Sequence, residues 1–108
     1  MVRFEMAFGK AYAALALGRS SSLVRVRNEE KPAFMRYLFN ATDNRIFPEG
    51  GGLLIRASDG EVVGAVGVTG DTEERDEELA AFGIRAAGLK TDEDCVGMGR
   101  GVNVRQTK

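Results

Sequence analysis

Histidine is absent from this 108-residue chain, and so is tryptophan. Without histidine the chain cannot by itself build Ser-His-Asp or Cys-His catalysis, a His-ligated zinc site or a His-ligated haem iron. A single cysteine, Cys95, excludes an internal disulfide and any CxxC metal or redox motif. No base stands beside it in the sequence, so it reads as a free thiol rather than a nucleophile. Long apolar runs are missing too: none approaches the ~18–20 residues of a membrane-spanning helix. The run Ala11–Leu17 follows Lys10, but it is short and alanine-rich and Glu5 precedes it, which does not suit a secretory signal. The expected location is therefore cytoplasmic, with no membrane partner. An excess of charge of one sign is also lacking. Fifteen Lys and Arg against sixteen Asp and Glu leave a net charge of −1, so no nucleic-acid partner is expected.

What is present fits one small folded domain. Hydrophobic residues make up 44% of the chain, too many for a disordered segment. A domain this short with two Tyr and six Phe has few large core anchors, so assembly into a homo-oligomer is expected. Residues 4–17 are rich in Ala, Leu, Met and Phe, with Phe4, Phe8, Tyr12 and Leu15 on one helical face. Core packing is the expected role of that face, an oligomer or ligand contact the alternative. Gly18 offers a stop, and residues 19–22 read as a turn or as the cap of a following element. Residues 23–44 are locally basic and less legible. Pro32 bars helix continuity through Lys31, and residues 33–39 suit a short helix with Pro near its first turn.

Residues 45–68 read as three strands. Arg45-Ile46-Phe47 is followed by the turn Pro48-Glu49-Gly50-Gly51-Gly52, and residues 53–57 and 62–68 flank a Ser58-Asp59-Gly60-Glu61 hairpin turn. Gly64 and Gly67 inside the last strand imply close approach of a helix or a ligand. Asp71 and Glu74 suit a helix start, and Leu79, Phe82, Ala86 and Leu89 form its apolar stripe, with Gly88 near the stop. Beyond residue 90 no apolar period continues. The expected organisation is one domain over residues 1–90 and a flexible or partner-docking tail over 91–108. The element order predicts an α/β or α+β fold whose sheet is at least partly antiparallel.

The residues that invite a chemical reading are acidic. Glu74 and Glu77 stand three apart, as do Glu73 and Asp76, and such pairs share a helix face. Oxygen ligands at that spacing could hold a hard cation weakly, although an acidic first turn also complements the helix dipole. The run Gly64-x-x-Gly67-x-x-Gly70 matches neither dinucleotide nor P-loop spacing.

The segments from Phe47 to Ile55 and from Asp59 to Gly70, followed by Asp76-Glu77, resemble the GlcG/HbpS-like haem-degrading domain family. That family carries a P-G-G turn, a D-G-E-[VI]-[VI]-G-A-[IV]-G-V-[SG]-G strand and a D-E helix start. Residues 10–20 resemble its K-A-x-T-A helix, so the likeness spans roughly residues 7–88. It implies a profilin-like fold, an antiparallel sheet flanked by helices, and oligomeric assembly. It also implies an N-terminal helix and two strands ahead of the K-A-x-T-A helix. The chain given starts almost at that helix, so the expectation is either a shortened relative or a second polypeptide that supplies the strands as a partner. The matching motif positions are Pro48, Gly50, Gly51, Gly64, Gly67, Thr69, Gly70 and Asp76, with all but Asp76 expected to wall a ligand pocket. Haem is the cofactor the family implies. With no histidine, Met35, Tyr37, Cys95 or Met98 could replace one as iron ligand, and nothing in the sequence singles one out. The expected function is that of an accessory domain binding haem or a pathway metabolite. The alternatives are an enzyme subunit using Asp76 or Glu77 for acid–base chemistry with a partner chain, and a purely structural assembly subunit.

Overall fold

The computed structural model describes residues 2–97. In chain order these form α1 (Val2–Leu17), α2 (Ser21–Glu30), α3 (Pro32–Ala41), β1 (Gly52–Arg56), β2 (Val62–Gly67) and α4 (Glu73–Ala86), then a 3-10 turn at Glu93–Cys95. The architecture is α+β, with β1 and β2 antiparallel. Gly60 at φ +88 closes the hairpin, and Asp59 Oδ1 accepts from Glu61 N at 3.0 Å. This is the turn expected from Asp-Gly.

Two strands form where three were expected. Arg45-Ile46-Phe47 does not join the sheet, because α1 satisfies it instead: Phe47 N donates to Gly9 O at 3.2 Å. Ile46 is buried with Ala13, Val24 and Met35 in a core shared by α1, α2 and α3. Pro48 then removes the next donor. The basic segment resolves into two helices broken at Lys31, with Pro32 opening α3 where its missing N–H costs nothing.

The sheet lies between α1 and α4. Gly52 and Gly67 are register partners, and both turn toward α1. A Cβ on Gly67 would strike Ala7 O, and one on Gly52 would strike Lys10 O. This contact decides which side of α1 is buried. Small residues allow so close an approach, so Gly9, Ala13 and Ala14 point inward, and Lys10 joins them with its Nζ held by Val68 O and Asp76. Phe4, Phe8 and Leu15 are exposed, contrary to the core role expected of them; of that face only Tyr12 packs on the core. On the other sheet face Leu53, Ile55, Val66 and Val68 meet Ala80 and Ile84 of α4.

Helix α4 also differs from its expected stripe. Its N-cap is Thr72, whose Oγ1 accepts from Arg75 N at 3.1 Å, rather than Asp71. Asp76, Ala80 and Ile84 are its buried residues, whereas Leu79, Phe82 and Ala86 are exposed and only Leu89, past its end, packs on the core. Gly88, at φ +81, ends the helix as expected. Residues 90–97 pack onto the domain: Lys90 and Arg56 exchange backbone hydrogen bonds, and Thr91, Asp92 and Cys95 are buried. The rest of the segment expected as a tail lies outside the described residues.

Candidate functional site

A cleft of about 830 Å³ opens beside α4. Leu53 of β1, Ser20 at the start of α2, and Thr91, Asp92 and Glu93 line it together with Glu74, Glu77, Glu78, Ala81, Phe82, Arg85 and Ala86 of α4. The exposed part of α4's apolar stripe is therefore placed: Phe82 and Ala86 are wall of the cleft, not core.

The cleft's polar groups are held from behind. Arg56 is 2% exposed, and its Nε donates to Asp92 Oδ1 at 2.7 Å while its Nη1 donates to Gly60 O at 2.7 Å. The hairpin turn thus orients the guanidinium that positions Asp92. Burial pushes the Asp92 carboxyl above its ordinary value of 3.8, outweighing Arg56. Its second oxygen, Oδ2, is buried and finds no hydrogen-bond partner. Arg85 donates to Asp94 through Nε at 3.1 Å and Nη2 at 3.2 Å, and lies 3.6 Å from Glu93. The Arg85 hydrogen bond, with the Thr91 N–H, holds Asp94 below 3.8. Glu77 accepts from Ser22 Oγ at 3.2 Å, at the positive end of α2.

The residues expected to wall a pocket lie elsewhere. None of Pro48, Gly50, Gly51, Gly64, Gly67, Thr69 or Gly70 lines the cleft. Gly51, at φ +124, sits against Val68 O, Lys10 Nζ and Asp76 Cβ, and Gly67 against α1. Protein atoms fill the space a ligand would need there. Gly64 has only Ile55 Cδ1 near, at 4.0 Å from an added Cβ, and Gly70 has open space.

Asp76 is 2% exposed and fully engaged. Its Oδ2 lies 3.3 Å from Lys10 Nζ, and its Oδ1 accepts from Asp71 N at 3.0 Å. Lys10 Nζ also donates to Val68 O at 2.9 Å. The pair ties α1, α4 and the end of β2 together, a positioning duty rather than one open to substrate. Glu74 and Glu77 share the cleft wall, but no group of three or more metal-ligating side chains forms among the described residues.

A carboxyl pair lies near the P-G-G turn. Glu73 Oε1 accepts from Gly50 N at 2.6 Å and stands 3.3 Å from Arg25 Nε. Burial, with Glu73 as hydrogen-bond partner and charge, raises Glu49 above 4.5. Burial also works against ionised Glu73, but the Gly50 N–H, Glu49, Arg25 and Lys10 together bring it below 4.5. Neither carboxylate lines the cleft. Sequence reasoning missed this pair, and it missed Arg56, Asp92 and the serines at the start of α2, whose roles depend on residues distant in the chain. The one local signal was the serine run itself, read as a cap; Ser20 is the N-cap residue of α2, but its side chain makes no capping bond and meets Ser22 Oγ instead.

The cleft does not suit haem. Among the described residues no Met, Cys or Tyr lines it, Met35 and Cys95 are fully buried, and Tyr37 stands outside it, exposed on α3. Met98 lies outside the described residues. Five carboxylates on the walls would also face the two propionates of a haem.

A solved structure, the crystal structure of a PduOC:heme complex, shares this fold with a TM-score of 0.70 at 24% identity, covering 83% of this chain. The present chain spans 64% of the length of that one. No curated protein matches the chain. A family model described as haem degrading protein HbpS-like matches residues 1–85, in agreement with the resemblance carried by the P-G-G turn, the glycine-bearing strand and the Asp-Glu helix start. The chain belongs to the HbpS-like family of haem degrading proteins.

Proposed function

We propose that this chain is an accessory domain that binds a small molecule in the cleft beside α4, without catalysis of its own. The observation that carries the reading is the cleft: about 830 Å³, with an apolar patch of Leu53, Ala81, Phe82 and Ala86 set among polar and charged walls. Small-molecule sites commonly occupy about 300–1,000 Å³. Asp76, the alternative acid–base residue, is occupied by Lys10 and the Asp71 N–H, which favours binding over acid–base catalysis.

Haem binding is the second reading, favoured by the family and by the heme in the similar PduOC structure. Since no described residue offers an axial ligand in the cleft, a haem would sit at another surface, such as one completed by a second subunit. Titration of hemin into the purified protein, followed by absorbance and melting temperature, separates the two. The cleft reading predicts no Soret band of a protein-ligated iron, together with melting shifts from cleft-sized ligands that Phe82→Ala abolishes. A sharp, saturable Soret shift that survives Phe82→Ala supports the haem reading and counts against the cleft.

Homo-oligomeric assembly belongs to the same proposal. Gly51 O accepts from Val68 N, so along the alternating ladder Ala65 and Gly67 turn their N–H and C=O groups away from β1. Those groups find no partner among the described residues. Nor does β2 carry the charges or proline that usually protect a free edge. Pairing with β2 of a second copy would satisfy them.

A further inference from the structure

We propose that the cleft selects a cationic ligand, a primary ammonium or guanidinium carried on a short apolar chain, with Asp92 Oδ2 as its anchor. This rests on the reading of the cleft as the binding site and names the class of molecule it takes.

Three independent observations converge. The first is the charge of the walls. Glu74, Glu77, Glu78, Asp92 and Glu93 line the cleft with Asp94 beside them, and the guanidiniums that pair with this set are Arg56, Arg75 and Arg85. Each is already committed: Arg56 to Asp92, Arg75 to Glu78, and Arg85 to Glu93 and Asp94. Glu74 has no partner among the described residues. An anion entering the cleft would find its cations taken and its carboxylates in surplus; a cation finds the reverse.

The second observation is an unmet acceptor. The Asp92 side chain is 9% exposed, and Arg56 uses only Oδ1. Oδ2 is buried with no donor. A buried carboxylate oxygen left without a donor is costly, and donors with positive charge restore the most. An ammonium or a guanidinium N–H in the cleft supplies one once a small turn of the Asp92 side chain, which lines the cleft, opens Oδ2 to it. The third observation is the apolar surface around these groups. Leu53, Ala81, Phe82 and Ala86 give a hydrocarbon chain something to cover, and Phe82 is 71% exposed. An aromatic face beside carboxylates suits an alkylammonium twice, through burial of its chain and through attraction of its charge to the ring.

Three probes with the same six-carbon chain test this: hexylammonium, hexanol and hexanoate, each titrated at pH 7 and low salt, with hemin as a fourth arm. Binding is read by calorimetry and by melting temperature. Hexylammonium is expected to bind tighter than hexanol by about tenfold, the worth of a charge-assisted hydrogen bond, and hexanoate weakest of all. Asp92→Asn is expected to erase the preference for hexylammonium over hexanol. Should that variant fail to fold because Arg56 loses its partner, Glu74→Gln on the exposed wall carries the test, with a smaller loss of preference. Binding of hexanol, hexanoate or hemin as tightly as hexylammonium, weakened by Phe82→Ala, overturns the cation inference and leaves the cleft as a site. Hexylammonium binding that Phe82→Ala, Glu74→Gln and Asp92→Asn all leave unchanged overturns the inference. If none of the four probes binds, both the inference and the cleft reading fall.

Discussion

Asp76 and Lys10 are oppositely charged, almost wholly buried and 3.3 Å apart. Bringing both out of water is costly, and Val68 O and the Asp71 N–H offset part of that cost by bonding the ammonium and the carboxylate. Asp76→Asn leaves Lys10 buried without a counter-charge, and a loss of about 3–5 kcal/mol is expected. Urea unfolding measures it, and a loss below about 1 kcal/mol would place the pair among ordinary surface bridges. Asp94 gives a pH-dependent counterpart. Its carboxyl lies below 3.8 when folded because Arg85 and the Thr91 N–H favour the ionised form. That stabilisation is present above pH 3.8 and is lost as pH falls through the lowered folded value. Asp94→Asn should therefore be less stable than the parent at pH 7, with the difference closing in strong acid; an unchanging difference from pH 7 to 2 contradicts this. Asp92 has the opposite sign. Its raised carboxyl favours the folded state at low pH and loses that contribution as pH rises through the raised value.

At the scale of elements, the two glycines of β2 separate packing from permissiveness. Gly67 lies under α1, where an added methyl meets Ala7 O and approaches Ala11 N. Gly67→Ala is expected to cost about 1–3 kcal/mol or more through overpacking. Gly64 has a backbone open to other residues and only Ile55 Cδ1 within reach. Gly64→Ala is expected to be neutral or stabilising by up to about 1 kcal/mol, since it restricts the unfolded chain. Melting curves of the two variants decide it, and equal losses would refute the assignment. These strands were legible in the sequence because apolar runs bounded by a glycine-rich turn and an Asp-Gly hairpin turn are local signals. The first turn of α4 and the Pro32 start of α3 were legible for the same reason. The aromatic face of α1 was misread because periodicity reports an apolar stripe without saying which side can come close. Gly52 and Gly67 made that choice, and they lie far along the chain. Likewise Arg45-Ile46-Phe47 has strand composition, but the Gly9 carbonyl took the hydrogen bond a sheet would have used.

For the whole molecule, the edge of β2 that no described residue pairs bears on assembly. If copies associate through it, the protein runs in solution at a multiple of its 11.7 kDa, as light scattering would measure. Ala65→Pro removes an N–H that points away from β1, so the hairpin ladder stays intact while edge pairing is blocked. The expected result is a monomer; an unchanged mass for a folded Ala65→Pro variant rules out this edge as the interface.

Several properties were settled by the sequence alone. The missing histidine, the single cysteine, the balanced charge and the family motifs depend on which residues are present and on short spacings. The location of the cleft, by contrast, was decided only by tertiary structure. Of the motif glycines expected to wall a pocket, Gly67 lies under α1, Gly51 against Lys10, Val68 and Asp76, and Gly50 against Glu73, while Gly64 and Gly70 stand apart from the cleft. The cleft is instead assembled from one side of α4, the N-cap Ser20 ahead of α2, Leu53 of β1, and three residues after Lys90. Arg56 and Asp92 are 36 positions apart, and their pairing leaves the unmet oxygen that gives the cleft its chemistry. Periodicity within one element carries no information about such a contact, because it arises only when the hairpin and the segment after α4 are brought together.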